Sequence, residues 1–139
     1  YTIEKVDFAS DGNSTSVGNL ASAPGPARTM GQGSGGQSET HGYVTGGFSP
    51  PSPTLPTRFR EINKFPFASD SPSTHLGNQL ATGRYDHNST SSSTHIYSAG
   101  GLTPSATNEI EKFTVASDTG GTDVGDLNAA AKQSTGSGI

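Results

Sequence analysis

INKFPFASD, residues 62–70, decides how this chain is read, because the phrase is written three times. The other copies are IEKVDFASD at residues 3–11 and IEKFTVASD at residues 110–118. Each copy carries apolar residues on both faces of an extended strand: Ile3, Val6 and Phe8; Ile62, Phe65 and Phe67; Ile110, Phe113 and Val115. Side chains alternate across a strand, so these strands ask for cover on both sides. Helical spacing does not fit, because every phrase is short and breaks at Gly, Pro, Asn or Ser. Asp11, Asp70 and Asp118 end their phrases, where a short carboxylate can accept backbone N–H groups and close the strand in an Asx turn. Pro66 falls inside its phrase and is expected where an N–H is not needed, at an edge or a bulge.

The pattern continues outward from each copy. A second phrase follows every ASD: VGNL at 17–20, LGNQL at 76–80 and VGDL at 124–127. Between them lies another pair, HGYVTGG at 41–47 and HIYSAGG at 95–101. Ala9 to Ala68 is 59 residues, Ala68 to Ala116 is 48, and His41 to His95 is 54. One unit of about 50 residues is therefore a strand, a turn, a short strand, a polar stretch and a strand ending in Gly-Gly. Gly46, Gly47, Gly100 and Gly101 are expected to leave their strands with positive φ. LNAAAK, residues 127–132, is the one stretch that leans towards helix.

Composition limits what such a chain can be. Of its 139 residues 28% are apolar, 14% are charged, 19 are Gly and 9 are Pro, and mean hydropathy is −0.54. So polar a chain often stays disordered, but here the apolar residues are gathered into repeated phrases and the charge density is low. The expectation is one all-β domain with a thin core and long polar loops. That core is assigned to Ile3, Phe8, Ile62, Phe65, Phe67, Ile110 and Phe113, with Tyr43 and Tyr97. A net charge of −4 with 8 Lys+Arg speaks against a nucleic-acid surface. No apolar run is long enough for a transmembrane helix. The absence of Cys removes disulfides, thiolate metal sites and a Cys nucleophile.

The double glycine after HGYVT and HIYSA, followed by a polar loop, an I-x-K-F strand and an Asp turn, resembles a degenerate kelch repeat. In that resemblance Phe65 and Phe113 stand near the third-strand aromatic of a kelch blade, and Val17, Leu76 and Val124 near the fourth-strand Trp. The implied fold is a segment of a kelch-like β-propeller, built of four-stranded antiparallel blades and part of a larger ring. Fewer than three blades are written here, whereas closed propellers use about four to eight. The chain is thus expected to be a piece of a longer polypeptide or one of several that share a ring; a three-fold prism fits the unequal spacing less well. HGYVTGG with INKFPFASD and LGNQL also looks like the Gly-, Ser- and Thr-rich repeats of aquatic phage appendage proteins. That resemblance implies a non-enzymatic structural and adhesive protein of a tail fibre or similar extracellular appendage, located on the virion. The alternative is a secreted or cell-surface module that binds glycans or proteins. The implied partners are other copies or remaining blades of the same protein and a host surface glycan.

Binding in a repeat protein falls on the segments that differ between copies. These are residues 24–38, residues 49–57, in which four of nine are Pro, and residues 84–94. The last begins with Arg84, Tyr85, Asp86 and His87, an aromatic for stacking on a sugar ring beside groups that bond its hydroxyls. It is the candidate ligand-binding segment. His41 and His95 occupy equivalent places and read as polar strand-start residues rather than metal ligands. Asp118, Asp123 and Asp126 supply oxygen ligands without the spacing of an EF-hand. No G-x-S-x-G or other nucleophile arrangement is present. Asn13-Ser14-Thr15 and Asn88-Ser89-Thr90 fit the glycosylation sequon. Neither a catalytic set nor a cofactor is assigned.

Overall fold

The computed structural model describes residues 2–10, 12–21, 32–49 and 58–132. Among these the chain is all β, without helix: β1 (Thr2–Lys5), β2 (Thr15–Asn19), β3 (Ser34–Gln37), β4 (His41–Thr45), β5 (Glu61–Pro66), β6 (Thr74–Asn78), β7 (Asn88–Ser91), β8 (His95–Ala99), β9 (Thr107–Thr114) and β10 (Thr119–Ala131). Every pairing is antiparallel and every sheet keeps sequence order: the hairpin β1–β2, then the sheets β3-β4-β5-β6 and β7-β8-β9-β10. The three ASD phrases thus join β1 to β2, β5 to β6 and β9 to β10. LNAAA, the helix-leaning stretch, is instead the end of the 13-residue strand β10. Its tertiary partner β9 overrides the local propensity.

Local chemistry explains the turns. Ser38 and Ser92 start two identical hairpin turns, each closed by a serine N–H donating to a histidine carbonyl at 2.8 Å. Each serine Oγ accepts the N–H of the same histidine at 3.1 Å. Thr40 and Thr94 then hold Nδ1 of His41 and His95 at 2.8 Å. Both histidines are therefore strand-start residues held by the preceding threonine. Gly46, Gly47, Gly100 and Gly101 all have positive φ, from +59° to +122°. Pro66 sits at the end of an inner strand, not at a sheet edge. Residues 50–57 lie outside the described residues, but their flanks are zipped together, with Phe48 bridged to Arg58.

The core lies between the two four-stranded sheets. Tyr43, Ile62, Leu80, Ile96 and Phe113 are each at most 2% exposed. The rings of Tyr43 and Phe113 meet across the gap with centroids 5.8 Å apart. Gly36 admits Ile96, whose Cγ2 would lie 2.8 Å from any Cβ added there. Of the nine residues expected in the core, Tyr43, Ile62 and Phe113 are in it; Ile3, Phe65, Tyr97 and Ile110 are half-buried, Phe67 is half-exposed and Phe8 is 92% exposed. The reason is geometric. β1 ends at Lys5, so Phe8 falls in the turn beyond it, and the hairpin has one neighbouring sheet rather than two. Leu80 and Ile96, outside the three phrases or in their polar-looking partner, take those places.

Candidate functional site

Arg84 to His87 lies on the connection from β6 to β7, and it threads between the two double glycines. Gly47 N–H donates to the Arg84 carbonyl at 2.8 Å, and Leu102 N–H to the Tyr85 carbonyl at 2.8 Å. A Cβ on Gly46 would come within 2.5 Å of the Arg84 carbonyl oxygen, and one on Gly101 within 2.8 Å of that of Tyr85. The glycines therefore supply both their backbone angles and the room for this segment. Asp86 adopts φ +53° and Gln32 φ +56°, 54 residues earlier, which is also the offset between the histidines. Both mark the approach to the first strand of a sheet.

The four side chains divide. Arg84 is wholly buried. Its Nη2 donates to Glu109 Oε2 at 2.6 Å and to Glu111 Oε1, and its Nη1 to the carbonyls of Gly100 at 3.0 Å and Glu109 at 3.3 Å. Glu111 in turn accepts the N–H groups of Ala81 at 2.7 Å and Thr82 at 3.3 Å. One guanidinium and one carboxylate thus fasten the loop of the first sheet to β9 of the second. Charges out of water are tolerated only with this kind of bonding.

His87 is buried as well. Its Nε2 lies 2.8 Å from Thr45 Oγ1. The Thr45 hydroxyl also lies 3.3 Å from the Ser34 carbonyl and 3.2 Å from Ser89 Oγ, so the ring joins a buried cluster of hydroxyls. Burial, and then the nearby Arg84 charge, push the His87 pKa down to about 4, so the ring is neutral at pH 7. Tyr85 and Asp86 are only half-buried, and the Tyr85 ring packs on Phe48 with centroids 4.9 Å apart. Of the expected ligand-binding quartet, two side chains belong to the joint between sheets and two face outward.

A second repeated arrangement went unread in the sequence. Lys64 Nζ reaches Asp118 of the following sheet at 2.8 Å, and Lys5 Nζ reaches Asp70 at 2.8 Å. These aspartates hold a lysine of the preceding unit; Asp11, the third of the set, lies outside the described residues. The Asx turn expected of them occurs at Asp7, whose Oδ1 accepts the Ala9 N–H at 2.9 Å. The Lys64 pKa is raised, first by the hydrogen bond to Asp118. Lys64 also sits 5.9 Å above the Tyr43 ring, a cation–π distance. The backbone repeats the joint too: Ser73 N–H donates to the Asn19 carbonyl, and Gly121 N–H, 48 residues on, to the Gln79 carbonyl. The signal was present, since a Lys recurs in every phrase at a fixed distance before the Asp.

The remaining candidates are placed simply. Asp118 is paired with Lys64, and Asp123 accepts the Gly125 N–H at 3.0 Å. Among the described residues no group of three or more His, Asp or Glu side chains converges to hold a metal ion. No described helix is long and apolar enough to cross a membrane. Asn13 is exposed, whereas Asn88 starts β7 and is half-buried. No protein-family model matches the chain, and no curated protein matches it.

Proposed function

We propose that this chain is a non-enzymatic structural and adhesive repeat module of an extracellular appendage, such as a viral tail fibre, and that its units are consecutive kelch-like propeller blades. The observation that carries this reading is the repeated joint. The charged groups around it, Arg84, Glu111 and the half-buried Glu109, are bonded to one another and to backbone, which favours scaffolding over chemistry. The position of the double glycine after the second strand of each four-stranded meander supports the blade reading. Within the Arg84–His87 segment, host-glycan contact falls to Tyr85 and Asp86, the two side chains that keep solvent access. Such contacts are individually weak and gain strength when many copies act together.

The test displays the chain in many copies on a bead and measures adhesion to glycan-coated surfaces and to cells. Tyr85→Ala and Asp86→Asn are expected to reduce adhesion without a change in melting; the Asn tolerates the left-handed backbone at that position. A wild-type chain that adheres to no surface overturns the adhesive reading.

A further inference from the structure

Lys112 occupies the place of Lys5 and Lys64, but among the described residues it has no carboxylate partner. The rest of the socket is there. Tyr97 and Lys112 are cross-strand partners in β8 and β9, as Tyr43 and Lys64 are in β4 and β5. Where a following sheet covers the socket, Tyr43 is 2% exposed and Leu76 packs on the core. At the outer face of β7-β8-β9-β10, Tyr97 is only half-buried and Val124, the counterpart of Leu76, is 46% exposed.

The opposite end of the molecule carries the matching half. Phe113 and Val115 of the second sheet reach the joint with the first. Their counterparts in the first phrase are Val6 and Phe8, which are 48% and 92% exposed. We propose that the outer face of the β7-β8-β9-β10 sheet docks a second copy of this chain, seated by its β1–β2 hairpin, so that copies join head to tail. The proposal extends a joint that the chain already forms twice, with the same lysine-to-aspartate polarity. Apolar surface meets apolar surface, Tyr97 against Val6 and Phe8, and Lys112 is the cation that the described residues of that face leave without a carboxylate. Because the two patches differ, the contact is heterologous and continues until it closes into a ring or runs on as a filament. This rests on the repeat-unit reading and not on adhesion, so a failed adhesion assay leaves it standing.

Sedimentation velocity of the 139-residue chain from low micromolar to near millimolar concentration tests it. The expected result is a mass that climbs beyond one chain, with Lys112→Glu and Phe8→Ser each shifting the rise to about tenfold higher concentration, a loss of about 1.4 kcal/mol. Lys112→Met keeps the stem without the charge; it is expected to weaken association while thermal melting is unchanged. Mixing a Lys112→Glu chain with a Phe8→Ser chain is expected to restore one contact, the intact hairpin of the first on the intact outer face of the second, and so to stop at a pair. A chain that stays monomeric throughout overturns the proposal, and so does association that none of these substitutions alters.

Discussion

The joint between hairpin and first sheet and the joint between first and second sheets are one design at two degrees of completion. Both have a lysine reaching an ASD aspartate at 2.8 Å. At the hairpin the paired side chains are 55% and 59% exposed, and between the full sheets 21% and 33%. The same phrase position is a buried ring at Phe113 and an exposed side chain at Val6. Burial here belongs to the neighbour, not to the phrase. In a repeat protein each unit contributes a little on its own and the contacts between units supply the rest.

The largest effect that would break or sharpen this comparison is in the apolar pair. Phe113→Ala is expected to cost about 3 to 5 kcal/mol, read by urea unfolding. Val6→Ala, at the same place in its phrase, is by contrast expected to fall within about 0.5 kcal/mol. Equal costs at the two positions would mean that the phrase, not its neighbour, sets the energy. Arg84→Ala leaves Glu109 and Glu111 without their counter-charge at the complete joint, and a loss of about 3 to 5 kcal/mol is expected in the same measurement.

Third comes acid. The folded-state pKa of His87 lies below its ordinary value, so the neutral ring stabilises the fold above pH 6.5, and that stability is lost as pH falls towards about 4. Moving a pKa from 6.5 to about 4 corresponds to about 3 kcal/mol. His87→Gln is expected to flatten the stability curve over that window, as followed by thermal melting at a series of pH values. The smallest effect is in the ion pairs. Lys64→Met is expected to cost no more than about 1 kcal/mol and Lys5→Met close to nothing, because exposed pairs are screened by water and salt. A larger loss at Lys5 than at Lys64 would reverse the ranking of the two joints.

The repeated strands were legible because the phrases carry both the apolar alternation and the turn residues. The double glycines were legible for the same local reason. What stayed hidden is whatever acts between units. Arg84 looks like a loop residue in sequence, and nothing local tells that Glu109 and Glu111, 25 and 27 residues away, enclose it. Reading Arg84 and His87 as surface groups followed from their polarity, whereas their burial comes from the sheet packed over them. The Lys–Asp pairs were half visible: both residues recur, but their pairing skips to the next copy. Phe8 and Phe67 were misplaced because the pattern shows that a residue is apolar and not whether a neighbour exists to cover it.

The hairpin has a kinetic consequence. It is tied to the first sheet by the Ser73–Asn19 and Ala21–Ser73 hydrogen bonds and by one water-exposed ion pair. Segments held by so few protected contacts open far more often than the body of a fold. Amide hydrogens of β1 and β2 are therefore set to exchange with solvent first, those of β4, β5, β8 and β9 last. A protease would trim the hairpin while both four-stranded sheets stay closed, so this molecule comes apart by fraying from one side inward.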